Sequence, residues 1–257
     1  MKLNYKRTIL VGFAFLSICA FWQLYDNVIP LILKNTFHMR DDIAGVIMAL
    51  DNVLALFLLP LFGKLSDGCR TKLGKRMPFI LGGTAAAVVL MNLLPVAAGA
   101  KSQGLFIALL CLLLVAMGTY RSPAVALMPD VTPKPLRSKG NAIINLMGAL
   151  GGVFTLGVTG FLVTRDAAGN EDYTRLFLAV SVLMAVAVVI LLCAIRENKL
   201  AGQVREINEK LDAESGEAVL DEKPEAGRSG FKALPPDLRR SLILILVSVS
   251  LWFMGYN

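Results

Sequence analysis

The sequence predicts an all-α, polytopic membrane protein, and three observations lead to that prediction. Of the 257 residues, 56% are hydrophobic and 18% are charged, whereas about 25% are charged in an average soluble domain. The apolar residues form continuous runs of about 20 residues, the length that a helix needs to cross about 30 Å of hydrocarbon. The basic residues collect between alternate runs. A backbone inside hydrocarbon must satisfy its own hydrogen bonds, so each run is predicted to be a helix.

Six runs qualify as membrane spans, and each contains at most one charged residue. They cover residues 8–33, 43–63, 78–100, 104–128, 141–164 and 176–195. A seventh apolar run, 241–257, is expected to be a truncated seventh span. The predicted organisation is a six-helix bundle over 1–196, a charged linker over 197–240 and the start of a seventh helix over 241–257.

The distribution of Lys and Arg predicts the orientation in the lipid bilayer. Twenty of the 26 lie in the N-terminal tail, in the loops after the second and fourth spans, and in segment 196–240. Positive residues favour the cytoplasmic side, so the N-terminus is expected in the cytoplasm, with the protein in the plasma or inner membrane. The net charge of +7 is explained by this topology and does not require a nucleic-acid partner.

Segment 197–240 is expected to connect two halves of a larger protein. Residues 197–211 fit an amphipathic helix at the membrane surface, and residues 214–230 fit a flexible linker. Six spans, a cytoplasmic linker and a seventh span match the plan of a transporter built from two six-helix halves. We therefore expect a missing C-terminal half, without which the chain would not transport. The alternative is a genuine seven-span protein.

The loop between the second and third spans reads GKLSDGCRTKLGKRMPFI over 63–80. Gly63 allows close approach of two helix ends. Asp67 can pair with Arg70 or another base, or cap a neighbouring helix. Such a charged group can hold one of two packings of a moving bundle, although anchoring by positive charge alone is the simpler interpretation. The residues assigned to this conformational latch are Gly63, Asp67, Arg70, Gly74, Lys75 and Arg76.

This loop resembles the motif G-x-x-x-D-(x)-R-x-x-x-G-[KR]-[KR] of the major facilitator superfamily. Its longer form is similar to the glycoside–pentoside–hexuronide:cation symporters and the related sucrose transporters. A second stretch, 126–142, resembles the sucrose-transporter pattern A-L-L-A-D-L…R-x-x-x-N-A. The matching positions are Ala126, Leu127, Asp130, Arg137, Asn141 and Ala142. The resemblance implies the N-terminal six-helix bundle of a cation-coupled sugar transporter.

Two positions depart from these patterns. Sucrose transporters have an Arg, thought to contact sugar, where this chain has Val125; the nearest Arg is Arg121, one helical turn earlier. In melibiose-type carriers, a second Asp in span 2 helps to bind the coupling cation, and Leu59 replaces it here. Proton coupling is therefore favoured over a sodium site.

Asp51 is the candidate cation-coupling residue. An ionisable side chain within a span costs free energy and is functional by default. A carboxylate can be protonated and deprotonated without a metal. The alternative is a structural hydrogen bond, with Asn52 as a partner.

Polar and aromatic residues of the spans have the chemistry of a sugar site, because aromatic rings stack on sugar rings while acids and amides bind hydroxyl groups. Alternatively, Trp22 and Tyr25 form an interfacial aromatic belt. Arg121 can bind substrate, pair with Asp130 or extend to the cytoplasm; a direct pair with Asp51 is not expected because their depths differ. The candidate substrate-binding residues are Trp22, Gln23, Tyr25, Asp26, Asn27, Arg121 and Asn145.

The predicted function is secondary active transport, with uptake of a sugar or glycoside together with a proton or other cation by alternating access. One alternative is transport of another solute, such as a drug, a lipid or an organic acid. Another is a non-transporting membrane sensor or packing subunit. An enzyme is disfavoured because no nucleophile–base or metal set is visible, and neither a cofactor nor a metal is expected.

Overall fold

The computed structural model describes residues 2–165 and 171–215, together with 240–241, 243–245 and 247–248; the side chains of 214 and 215 are not included. Seven helices of more than one turn run through the two long ranges. They are α1 (Tyr5–Leu31), α2 (Asp41–Gly68), α3 (Met77–Gly99), α4 (Gln103–Asp130), α5 (Arg137–Leu162), α6 (Thr174–Ala194) and α7 (Glu197–Ser215). Shorter elements are a π-helix (Ile32–Thr36), a 3-10 turn (Lys134–Leu136) and an antiparallel hairpin of β1 (Thr164–Arg165) and β2 (Glu171–Asp172).

Within the described residues, six helices are long and apolar enough to cross a membrane. They are α1 to α6, so the prediction of six spans over the first 196 residues is confirmed. Most of the helices extend beyond the apolar runs because their polar ends are also helical. For example, α2 begins at Asp41 and Asp42, whose carboxylates stabilise a helix N-terminus. The predicted seventh span and residues 216–230 of the predicted flexible linker lie largely outside the described residues.

The six spanning helices pack in a series that defines one open face. α1 packs against α5 and α6, α3 packs against α4 and α6, and α2 packs against α4. The core lies where α1, α3, α4 and α6 meet, with Phe21, Phe106, Tyr120 and Phe177 fully buried. α2 and α5 lie at the two ends of this series. The open face is the surface between α2 and α5, and α1 and α4, which contact each other, lie beneath it.

α1 and α5 approach very closely because small residues lie between them. A Cβ atom on Gly151 would overlap the backbone carbonyl of Leu16, so this position needs glycine. Thr155 Oγ1 donates a hydrogen bond to Ala20 O across the same contact at 3.0 Å. α5 is thereby fixed to the helix that carries most of the candidate substrate-binding residues.

Pro30 changes the hydrogen bonding at the end of α1. The α-helix ends at Leu31 and continues as the π-helix Ile32–Thr36. Proline lacks a backbone N–H and disturbs the regular pattern around it, and single π-helical turns occur often at functional sites. The widened turn lies at the end of the bundle opposite the 69–76 loop.

Candidate functional site

Arg121 of α4 stacks on Trp22 of α1. Its guanidinium carbon lies 5.1 Å from the centroid of the indole ring, which is a cation–π distance. Edge contacts from Phe21 at 5.2 Å and from Tyr25 at 5.4 Å hold the indole in place. The indole Nε1 is buried and has no hydrogen-bond partner among the described residues. An aromatic face, a cation and a free N–H donor therefore meet where α1 crosses α4.

Tyr25 lies inside the bundle and connects α1 with α2. It is 1% exposed, and its hydroxyl donates to the backbone carbonyl of Met48 at 3.4 Å. Trp22 is half-buried beneath Arg121. Both aromatic residues thus contact other helices of the bundle, which does not favour the interpretation as an interfacial belt.

Asp51 of α2 lies close to this cluster. Its Oδ1 accepts hydrogen bonds from the backbone N of Asn52 at 2.6 Å and from Asn52 Nδ2 at 2.9 Å. It also lies within electrostatic reach of Arg121 and Asp26. Among the described residues, no ion pair within 4.0 Å joins Asp51 to Arg121.

The remaining candidates spread along the open face. Asp26 and Asn27 are exposed, and Asn27 Nδ2 donates to Gln23 O at 2.7 Å. The Gln23 side chain faces α5, where a Cβ on Gly152 would be 3.4 Å from Gln23 Oε1. Asn145 is exposed on α5, and no side-chain hydrogen bond among the described residues connects it to the cluster.

At the loop between α2 and α3, Arg76 is the centre of a group of ion pairs that, from here on, we call the latch. Its side chain is 6% exposed and pairs with Asp67 of α2 and, at 3.0 Å, with Asp130 of α4. Lys75 Nζ lies 3.5 Å from Asp130. The latch comprises Asp67, Lys75, Arg76 and Asp130, and it joins the ends of three helices.

The latch selects among the predicted pairings. Asp67 was expected to pair with Arg70 or another base, and its partner is Arg76, because Arg76 directly precedes α3 and is buried between the helix ends, whereas Arg70 is exposed on the loop. Asp130 is engaged by Lys75 and Arg76, so the predicted option of an Arg121–Asp130 pair is not realised.

Gly63 and its neighbours bring α2 against α4 just above the latch. A Cβ on Gly63 would lie 3.1 Å from Ser122 Oγ, and that hydroxyl donates to Leu59 O at 2.8 Å. Arg76 donates to Gly63 O at 3.3 Å and to the hydroxyl of Ser66. Arg76 thus binds one backbone carbonyl and one hydroxyl in the last two turns of α2.

Glu197, the first residue of α7, was not among the predicted site residues. It is 1% exposed, and its carboxylate accepts from the backbone N of Lys75 at 2.9 Å, Arg76 at 3.0 Å and Met77 at 3.0 Å. These are the unpaired amides at the start of α3, where a helix favours an anion. Gly74 precedes them with φ +128°, and any Cβ there would overlap the Glu197 carboxylate.

Tyr120 was also missed by the sequence analysis. Its hydroxyl is fully buried, donates to Ala14 O at 2.9 Å and shares a hydrogen bond with Ser17. These hydrogen bonds connect α4 to α1 at the residue that precedes Arg121. In the sequence, Tyr120 cannot be distinguished from an ordinary apolar position of a span.

Comparison with known proteins identifies the family. The model of the Major Facilitator Superfamily matches residues 11–257. The chain belongs to the Major Facilitator Superfamily. It is therefore an integral, multi-pass membrane protein of a transporter family, and the latch and the aromatic cluster are features of a superfamily member.

This superfamily chain is also similar to a named relative, the human "Proton-associated sugar transporter A". The two are 26% identical over 188 residues, which cover 67% of this chain and 25% of the relative. The chain thus matches about a quarter of that relative's length. The finer resemblance to the sucrose-transporter branch stays a prediction.

Proposed function

We propose that this chain contributes the N-terminal bundle of a secondary active transporter that takes up a sugar or glycoside together with a proton by alternating access. The observation that carries the proposal is the stack of Arg121 on Trp22 with Asp51 and Asp26 beside it on the open face. The printed name of the human relative, which refers to both protons and sugar, supports the same assignment. The basic loops favour an N-terminus in the cytoplasm.

The cluster has the groups that sugar binding requires. The indole of Trp22, which is half-buried, can stack on a sugar ring. Asp26 and Asn27 are exposed farther along α1 and can bind further hydroxyls. The guanidinium of Arg121 stacks on this indole, so a bound sugar and Arg121 would both contact the Trp22 ring.

Coupling to a proton is supported by Arg121, which stacks on Trp22 and lies within electrostatic reach of Asp51. When Asp51 is ionised, its charge attracts the guanidinium; when Asp51 is protonated, that attraction is lost. The position of Arg121 over the sugar-binding ring then depends on the protonation of Asp51. The hydrogen bonds to Asp51 come from the adjacent Asn52, so they fix its side chain locally without joining it to another helix.

A sensor or packing subunit would place the intramembrane acids between helices. Here Asp26 is exposed and Asp51 is partly exposed on the open face, which favours a transporter. In the working protein we expect a second helical bundle to cover this face.

The test is uptake of labelled sugars into vesicles from cells that express the complete gene. We expect Asp51→Asn to lose sugar accumulation driven by a proton gradient but to keep sugar counterflow, because binding and exchange do not require net proton movement. Asp42→Asn is the matched control, since Asp42 lies on the same helix and pairs with exposed Arg40 at 2.9 Å. Full proton-driven accumulation by Asp51→Asn would refute the coupling role, and absence of counterflow with every sugar would refute the substrate class.

A further inference from the structure

A cavity lies at the end of the bundle opposite the latch. It has a volume of about 600 Å³ and lies between the π-helix, the end of α3 and the hairpin. This volume falls in the range of small-molecule sites, about 300–1,000 Å³. Its polar lining includes Asn35, His38, Lys101 and Arg165, and it includes none of the Arg121 cluster. We call it the hairpin pocket.

Lys101 lies in a backbone conformation that favours glycine. Its φ is +52°, and it follows the last turn of α3. Lys101 N donates to Ala98 O at 2.9 Å and Ser102 N donates to Ala97 O at 3.2 Å. This is the hydrogen-bond pattern of the Schellman motif, whose left-handed residue is usually glycine.

His38 occupies the equivalent place after the π-helix. Its φ is +51°, and Met39 N donates to Leu33 O at 3.1 Å. Glycine would adopt either conformation without strain. The chain instead places a basic side chain at both helix ends, and both side chains border the hairpin pocket. The shared location indicates that these side chains serve the pocket.

The acidic groups of the pocket are already engaged. Glu171 pairs with Arg165 at 3.6 Å and with the hydroxyl of Tyr173. Asp172 Oδ1 accepts from the backbone N of Thr174, the first residue of α6, at 2.9 Å and from its hydroxyl at 2.6 Å.

The donors, in contrast, remain available. Among the described residues, no ion pair or side-chain hydrogen bond engages His38 or Lys101. Together with the Asn35 amide, they present an ammonium, an imidazole and an amide from two separate helix ends. Donors that approach from different directions suit an anion with several oxygen atoms.

We propose that the hairpin pocket binds a phosphate group, carried either by a small solute or by the headgroup of an anionic lipid. The apolar part of the lining, which includes Ile32, Pro95 and Ala98, would contact the organic part of either ligand. The site is independent of the transport cluster.

The test measures the thermal unfolding temperature of the full chain in phosphatidylcholine nanodiscs, with two arms. One arm adds inorganic phosphate against chloride at equal ionic strength, and the other includes phosphatidylglycerol in the nanodiscs. A rise in Tm in the first arm alone identifies a solute site, and a rise in the second alone identifies a lipid site. A rise in both identifies a phosphate site open to either source. No rise in either arm overturns the proposal.

Variants separate binding from folding. Lys101→Gly and His38→Gly should keep or raise the Tm measured without phosphate, because glycine relieves the left-handed backbone, yet they should lose the ligand-dependent rise. Lys101→Arg should retain that rise even if a glycine variant fails to fold. Lys34→Gln is the matched control, since Lys34 lies on the same π-helix and pairs with Asp41 at 3.0 Å outside the pocket. A rise that survives in both glycine variants, or that disappears in Lys34→Gln, would contradict the site.

Discussion

At the scale of single residues, Gly74 shows how one position can serve backbone and packing together. Its φ of +128° is open to glycine and strained for other residues. The missing side chain also leaves the space that the Glu197 carboxylate occupies. The capping of α3 by a distant acid therefore depends on the absence of a Cβ atom at this residue.

We expect Gly74→Ala to destabilise the bundle by about 2–3 kcal/mol, because backbone strain of this kind costs about 1–3 kcal/mol and Glu197 must also move. Gly68→Ala is the matched control, since a Cβ there meets nothing within 4 Å. Thermal unfolding in detergent measures both variants. Equal melting temperatures for the two would show that Glu197 can shift without cost.

Tyr173 gives a prediction about alkaline pH. It lies just before α6 and outside the spanning segments, and burial together with its hydrogen bond to Glu171 raises the pKa of its phenol. Because the folded pKa lies above the unfolded value of 10.0, the phenol stabilises the fold at lower pH. That contribution begins to fall as pH rises above the unfolded pKa, and it is lost as pH passes the folded pKa.

Ultraviolet absorbance of tyrosinate tests this prediction. The buried Tyr25 and Tyr120 contribute equally to the wild-type protein and to Tyr173→Phe, so the difference between their two titrations should isolate one phenol with a transition above the ordinary tyrosine range. Tyr5→Phe, at a tyrosine that is 63% exposed, should leave that transition in place. A difference between wild type and Tyr173→Phe that lies within the ordinary tyrosine range would contradict the prediction.

Arg121 shows what the sequence can and cannot predict at this scale. The sequence identifies it as an unusual charge within a span, and counting residues places its Cα toward the cytoplasmic half. The count omits the length of the side chain, which brings the guanidinium to Trp22 and within electrostatic reach of Asp51. Residue types are thus predictable from the sequence, whereas their partners depend on helix rotation and rotamer.

At the scale of elements, α7 connects two loops at the latch end. Glu197 caps α3, and Asn198 Nδ2 donates to Thr71 O at 2.9 Å and to Lys72 O at 3.1 Å. Farther along, Asn208 Oδ1 accepts from Lys134 N at 3.0 Å. α7, the helix that follows α6, is therefore held by specific hydrogen bonds as well as by an apolar face.

We expect Glu197→Gln to lower stability by about 2 kcal/mol, because hydrogen bonds to a charged group contribute about 1.5–3 kcal/mol each and glutamine keeps only one acceptor oxygen. Glu209→Gln is the matched control on the same helix, where, within the described part of the chain, Glu209 pairs with Arg205 at 2.8 Å on the exposed surface. Thermal unfolding compares the two variants. A loss in Glu209→Gln as large as in Glu197→Gln would assign the effect to net charge on α7.

The elements themselves were the most predictable level of the structure. Hydropathy and helix length determine the six spans, since few other structures can place such runs in hydrocarbon. The amphipathic pattern of 197–211 likewise predicts a helix there. That Glu197 reaches the start of α3 does not follow from any local pattern, because the contact joins residues about 120 positions apart in the chain.

At the scale of the whole molecule, the bundle has two separate groups of charged residues along its length. The Arg121 cluster lies within the open face, and the latch lies at one end, where α2, α3 and α4 meet. In alternating access, one bundle moves against another around a central site. A group of ion pairs around the buried Arg76 at one end can then favour one state without touching the substrate.

Asp130→Asn tests this separation, because Asp130 contacts both basic residues of the latch and lies away from the Trp22 cluster. In this variant the nearly buried Arg76 loses one of its two carboxylate partners, which should destabilise the helix packing that the latch favours. We expect the maximal rate of sugar uptake to fall about tenfold, equivalent to about 1.4 kcal/mol in the barrier, while sugar affinity at equilibrium changes less than about twofold. Asp42→Asn, which removes an exposed ion pair from α2 at the opposite end, should change neither quantity. If Asp130→Asn lowered sugar affinity as much as it lowered the uptake rate, substrate binding would depend directly on the packing at the latch end. The latch and the open face would then not be separable.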